Sequence, residues 1–420
     1  MEIEQLNEIR KERGLQIANT SRIMRRERGG YIVPSQSGSG AYLVQYDNAT
    51  FKPKCECEDY EKRSVLGIKC KHIWAVELTI NKQINSDGST TVTKTVRVTY
   101  PQNWSAYNQA QTKETELFMK LLHDLTKDIS KPYMFGRKPL NLSEVIFCSG
   151  LKVYSTLSSR RTVMNYKTAF GNGYITKVPN FNAVSELLNK KDLMDILLEL
   201  VKASSLPLKA VETNFAIDST GFSTCRFDRW FNFKYGKEVI SRVWLKAHIL
   251  CGTKTNVVTA VKITDAYSHD SKEFNGLVNK TAENFNIKEL SGDKAYSSRD
   301  NLDLVNQLGA IPYIPFKENV IGKAGGSMFW SKMYHYFMLN REDFLQHYHL
   351  RSNSETVFHM IKSKFGSSVR SKNKIAQINE ILFKVLCHNL CCVIQEMHEL
   401  GISADFCTQS PSSAFKVGGE

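Results

Sequence analysis

Residues 214–222, NFAIDSTGF, decide how this chain folds. Phe215 and Ile217 alternate with Ala216 and Asp218, the period-two pattern of a buried strand, and the apolar run ends at a carboxylate. Downstream, VWLKAHILC (243–251) and VVTAVKITD (257–265) flank GTKTN, which predicts a hairpin. A helix is expected from Lys272 to Phe285. The design then repeats in IKELSGDKAYSS (287–298): a short apolar strand runs into Asp293, and SSRDNLDLVNQLGA continues as a helix. IPYIPF (311–316) supplies a further strand. Strands and helices in this order predict a mixed α/β sheet.

The next landmark is YHLRSNSETVFHMIK, residues 348–362. At about 100° per residue, Glu355, His359 and Lys362 share one side of a helix, while Val357, Phe358, Ile361 and Phe365 gather on the other. One face is core and the other charged. A solvated amphipathic helix has the same pattern, and so does a carboxylate on a basic face that holds a metal ion and a phosphate together. His359 shares the charged face, although a lone histidine is more often a satisfied local polar group.

The spacing Y-x2-R-x3-E-x6-K, formed by Tyr348, Arg351, Glu355 and Lys362, resembles the signature of insertion-sequence transposases of the DDE class, in the branch named for those four letters. The resemblance runs from about Leu140 to Leu400. It implies a ribonuclease-H-like core in which AIDSTGF is the first-acid strand, GDKAYSS the second-acid motif and Glu355 the third acid. It thereby assigns catalysis to Asp218, Asp293 and Glu355, separated by 75 and 62 residues. Three converging carboxylates would repel one another unless cations joined them, and two Mg²⁺ (or Mn²⁺) ions about 4 Å apart can activate a water or DNA 3′-hydroxyl and stabilise the leaving oxygen. Tyr348, Arg351 and Lys362 are expected to bind or orient phosphate, Arg351 bidentately. Asp228, Asp265 and Asp270 are rival acids in the same region, but AYSHD (266–270) reads as a helix entry at which an aspartate caps.

Charge agrees with a polyanionic partner. Lys plus Arg number 56 against 42 Asp plus Glu, a net of +14, and the isoelectric point is near 9.2. Between Arg351 and Lys374 six cations face one acid. LKVYSTLSSRRTVMNYK (151–167) holds a second basic cluster, which a helical domain could present to the ends of a DNA element. No apolar run suits a membrane span, and MEIEQLNEIRKERG lacks the apolar stretch of a signal peptide, so no membrane partner is expected. The location expected is the cytoplasm, in association with the nucleoid.

Near the N-terminus, YIVPSQSGSGAYLVQY (31–46) predicts a hairpin, and CECEDYEKRSVLGIKCKHIWAVE (55–77) follows. Cys55, Cys57, Cys70 and His72 supply three thiolates and an imidazole in two tight pairs, enough to close a tetrahedral zinc site with no open position. The stretch resembles the SWIM zinc finger, C-x-C-xn-C-x-H after a hairpin, which implies a structural Zn²⁺. The other cysteines are expected to be small buried apolar groups.

The expected organisation is a SWIM-type finger with a basic arm (1–80), a polar linker (81–112), a helical DNA-binding domain (113–210), the ribonuclease-H-like catalytic domain (211–400) and a tail. The resemblance implies a transposase that cleaves DNA at transposon ends and transfers the strand into target DNA, as a homodimer or larger assembly. Alternatives are a related nuclease without strand transfer, or a transposase-derived DNA-binding protein that has lost its chemistry.

Overall fold

The computed structural model describes residues 3–21, 23–25, 30–35, 41–47, 52–64, 68–84, 90–94, 103–130, 140–224, 234, 244–404 and 406. Two units divide the chain, Met1–Pro101 and Gln102–Glu420.

In the first unit, helix α1 (Ile3–Thr20) precedes a four-stranded antiparallel sheet in the order β1 (Met24–Arg25), β2 (Tyr31–Pro34), β3 (Ala41–Tyr46), β4 (Pro53–Cys55). Helices α2 (Glu58–Arg63) and α3 (Lys71–Thr79) follow. Among the described residues the core is small: Ile17, Val33, Val44, Ile73, Ala75 and Val76 are its fully buried aliphatic members. Strands β5 (Ile80–Ile84) and β6 (Thr90–Lys94) then pair antiparallel. The polar stretch expected as a linker over 81–112 therefore contains a β-ribbon and the start of a helix. Its threonines favour strands, and Asn103 caps the helix by accepting from the Ala106 N–H at 3.1 Å.

The second unit opens with helices α4 (Trp104–Thr126), α5 (Leu142–Ser155), α6 (Val163–Gly171), α7 (Phe181–Leu188) and α8 (Leu193–Ser205). Next come strands β7 (Asn214–Ser223), β8 (Trp244–Gly252) and β9 (Val258–Asp265), helix α9 (Asp270–Ala282), strand β10 (Glu289–Gly292), helix α10 (Arg299–Gln307) and strand β11 (Ile311–Tyr313). Helices α11 (Met328–Leu339), α12 (Arg341–Tyr348), α13 (Ser352–Phe365) and α14 (Lys374–Glu399) complete it. The five strands order as β11-β10-β7-β8-β9, with β10 parallel to both β7 and β11 and the β7–β8 and β8–β9 pairs antiparallel. This is the mixed, helix-flanked, ribonuclease-H-like sheet expected.

The two faces of β7 serve different layers. Phe215 and Ile217 point into a core with Phe274, Leu277 and Val278 of α9. Ala216 and Phe222 point into the other, with Val357, Phe358, Ile361 and Phe365 of α13. Burial of each of those four α13 side chains contributes about 2 kcal/mol. That second core continues through Phe118, Ile146, Leu197 and Leu390, so the helices expected as a separate domain over 113–210 share one apolar interior with the sheet. At its centre lies α14, long and apolar enough to span a membrane by composition, with 89% of its most apolar window buried inside the protein.

Asp218 does not end its strand, as the sequence pattern suggested. β7 runs five residues farther, because β8 continues to pair with it as far as Ser223 opposite Trp244. What ends near Asp218 is the parallel neighbour β10, at Gly292. The β8–β9 turn also holds Gly252 in place: a Cβ there would lie 2.3 Å from the carboxyl carbon of Glu212, whose oxygens accept from the Lys254 and Thr255 N–H groups.

Candidate active site and zinc centre

Gly292, the last residue of β10, pairs with Ile217 of β7, so Asp293 follows directly after the end of β10 beside Asp218, near enough for its charge to act on the Asp218 carboxyl. Asp293 then leaves the sheet, and its carboxylate caps a short 3₁₀ turn by accepting from the Ala295 N–H at 2.7 Å. Asp218 is held from three directions. Its Oδ1 accepts from the Ser219 N–H at 2.8 Å, while Oδ2 accepts from Arg351 Nη1 and Ser354 Oγ, each at 3.0 Å. Burial nevertheless pushes the Asp218 carboxyl above its ordinary range, against these hydrogen bonds and the Arg351 charge, and the negative charge of Asp293 pushes the same way.

Helix α13 lies along the even-numbered face of β7. Ser354 to Lys362 advances about 12 Å on the helix, matching about 13 Å from Asp218 to Phe222 on the strand. Consequently Ser354 meets Asp218 at one end. At the other, Lys362 Nζ donates to Thr220 Oγ1 at 2.6 Å and sits 5.5 Å from the Phe222 ring centroid. Burial lowers the Lys362 pKa. Arg351 bridges the acids, with Nη1 on Asp218 and Nη2 on Glu355. Glu355 is largely exposed and reaches the Asp218 end of the site through that guanidinium. Tyr348 ends α12, half-buried against the core of the opposite face, and His359 is exposed and accepts from or donates to Ser363 at 3.3 Å.

Two of the rival acids are engaged elsewhere. Asp270 opens α9, which covers the other face of the sheet, and pairs with Lys246 at 2.5 Å and His248 at 3.3 Å. Asp265 ends β9 at the sheet margin and pairs with Lys374 at 2.8 Å. Asp228 lies outside the described residues.

Sequence reading missed Ser354 and Tyr296. Ser354 is fully buried with its hydroxyl on Asp218, and its signal was its place on the side of α13 next to Glu355. Tyr296 is buried behind Gly292, and its hydroxyl has no hydrogen-bond partner among the described residues. Burial raises its pKa, and the charges of Asp270, Asp218 and Asp293 add to the effect.

In the first unit, Cys55 at the end of β4, Cys57 before α2, and Cys70 and His72 at the start of α3 bring their ligand atoms within 4.8 Å of one another. All four are buried. The span from Cys55 Sγ to His72 Nδ1 is 3.8 Å, against about 3.6 Å for the edge of a tetrahedron with ordinary zinc–sulfur and zinc–nitrogen distances. The hydrogen bond between Cys55 and Cys57 lowers the Cys57 pKa and raises that of Cys55. The His72 ring packs on Tyr42 with centroids 4.5 Å apart. Three thiols and an imidazole, closed off from water, fit a structural zinc ion and leave no position for substrate.

Two stretches of the chain are similar to known families. Residues 209–390 match the transposase DDE domain, and residues 42–81 match the SWIM zinc finger. A cryo-EM structure of piggyBac transposase synaptic complex with hairpin DNA is similar over 76% of this chain and 84% of that one, at 10% identity and a TM-score of 0.32.

Proposed function

We propose that this chain, with a transposase DDE domain over residues 209–390, is an active transposase of the Tyr-Arg-Glu-Lys branch that cleaves DNA at transposon ends and joins the strand to target DNA. The observation that carries the reading is that Asp218 on β7 lies beside the end of the parallel strand β10, which Asp293 directly follows, with Glu355 tied to Asp218 through Arg351.

The donor set suits hard cations. Asp218, Asp293 and Glu355 offer carboxylate oxygens, and Asp218 is destabilised as an anion by burial and by Asp293, which a divalent cation would relieve. Mg²⁺ or Mn²⁺ held there would supply activation of a water or 3′-hydroxyl and stabilisation of the leaving oxygen. The chain's own residues set the stage: Ser354 and the Ser219 N–H fix the Asp218 carboxylate, and Arg351 joins it to Glu355. Tyr348, Arg351 and Lys362 are assigned to the DNA backbone. The zinc finger is structural, the protein acts as a homodimer or larger assembly on two DNA ends, and it works where its DNA is, in the cytoplasm with the nucleoid.

One observation favours a second reading. Arg351 is ion-paired with both Asp218 and Glu355, as would suit a DNA-binding protein that has lost catalysis. Purified protein incubated with Mg²⁺ or Mn²⁺ and DNA carrying the inverted repeats that flank the reading frame separates the two. Nicking at the repeat ends, followed by joining to a second duplex, supports the transposase. Cleavage without joining leaves a nuclease, and binding with no metal-dependent cleavage leaves the inactive reading.

A further inference from the structure

The two basic stretches of the sequence, 151–167 and 351–374, meet at an open cleft of about 720 Å³ in the second unit. The turn after α5 forms one wall and the loop from α13 to α14 the other, while the end of α7 closes a third side. Lys152, Arg161, Arg370 and Lys372 line it together with several serine hydroxyls, and among the described residues no carboxylate lines it.

Glu380 on α14 lies behind the loop wall of the cleft, and its oxygens are committed to the loop: they accept from the Arg370 N–H at 2.9 Å, the Ser371 N–H at 2.9 Å and Ser371 Oγ at 2.7 Å. The same helix fixes the other parts of the wall. Lys384 Nζ donates to Gly366 O at 2.8 Å and Ser368 O at 2.9 Å, and Asn379 Nδ2 donates to Leu188 O at 2.9 Å and Lys190 O at 3.0 Å. The cleft is thus positively charged and held in shape before any ligand arrives. Lys152 is half-buried in it, and burial lowers the lysine's pKa against the weaker opposing charge of Glu380. An anion there would restore what burial removes.

Distance along the sheet places the cleft relative to the acids. The loop joins the end of β7, where Ser223 N donates to Ser367 O at 3.2 Å and Val369 N donates to Ser223 O at 2.9 Å. Ser223 lies five residues beyond Asp218, or about 17 Å at a strand's rise. One strand of B-DNA advances about 3.4 Å per nucleotide, so 17 Å corresponds to about five.

We infer that this cleft is a DNA-backbone site, in which Lys152, Arg161, Arg370 and Lys372 hold phosphate about five nucleotides from the bond presented to Asp218. The inference rests on the DNA-directed reading of the chain and deepens it. Phosphates carry no sequence information, so the contact sets register along the duplex and leaves selection of the ends to other surfaces.

Salt titration of duplex binding tests this, with Lys152→Gln and Lys372→Gln separately and together. Lys372 is exposed, so its replacement does not depend on the core, and thermal melting verifies the fold of each variant. The expected result is a slope of log K against log salt less steep by about 0.9 for each lysine removed, alike on unrelated sequences. Phosphate ethylation about five nucleotides from the cleavage position should interfere with binding of the wild type and not of the double variant. Folded variants with the wild-type slope and interference pattern would overturn the cleft. If those variants also cleave normally, the transposase reading survives; if the slope falls as expected while the wild type never cleaves, the cleft stands and catalysis is lost.

Discussion

Asp218 shows how much one residue's role depends on its neighbours across the fold. The sequence identified it as a carboxylate after an apolar alternation, and the parallel register places it where β10 stops and Asp293 follows. Its partners on α13 were harder to read. Ser354 looks like an ordinary polar residue of a helix entry and Arg351 was expected to bind phosphate, and only the alignment of α13 along β7 turns them toward the acid. If the three acids hold metal, Asp218→Asn or Asp293→Asn should abolish cleavage at DNA ends, by at least about 10³-fold for the loss of charge at a metal-assisted centre. Glu355→Gln should do the same while leaving DNA affinity nearly unchanged or raised, because a negative charge near the phosphates is gone. Cleavage assays and binding titrations on the same preparations check both; a Glu355→Gln protein with full cleavage would remove this residue from the site.

At the scale of elements, the zinc finger was the most legible part of the chain, because four soft ligands at tight spacing restrict the backbone more than any apolar pattern does. Cys55, Cys57, Cys70 and His72 converge as their spacing implied. The β-ribbon over Ile80–Lys94 was not legible, since a polar run rich in Thr, Ser and Asn reads equally as linker or strand. With only a few aliphatic residues in the core of the first unit, metal ligation should dominate its stability, on the order of 10 kcal/mol for a structural zinc. Cys57→Ser, or a strong chelator, should therefore unfold the finger while the second unit, which has its own cores, keeps a cooperative thermal transition. Elemental analysis should find one zinc per wild-type chain. A Cys57→Ser protein whose finger retains its protection from hydrogen exchange would show that the cluster contributes little.

At the scale of the whole second unit, α14 is the element to which α4, α5, α7, α8, α13 and β9 are fastened, and its role could not be read from its apolar run alone. Asn389, fully buried, accepts from the Val258 N–H at 2.9 Å and donates to Val258 O at 2.7 Å and Ser204 Oγ at 3.0 Å, so that one amide satisfies the edge of β9 and ties it to α8. Replacement by Ala leaves those buried groups unpaired and should cost about 2–4 kcal/mol, measurable by denaturant titration. Toward the end of the same helix, burial pushes Glu396 from an ordinary value of 4.5 up to about 7, helped by the charges of Glu399 and Glu212 and opposed by Lys254. The sign follows from proton binding. Between about pH 4.5 and 7 the folded chain keeps a proton that the unfolded chain has released, so this group's contribution to stability falls as pH rises through that window and is then constant. Below it both states are protonated and the penalty vanishes. Glu396→Gln should therefore stabilise the protein by about 1–3 kcal/mol at pH 8 and leave it nearly unchanged at pH 4.5, a difference measured by melting wild type and variant across that range. Equal shifts at both pH values would mean that Glu396 is ionised in the folded protein throughout, with Lys254 near enough to hold its charge.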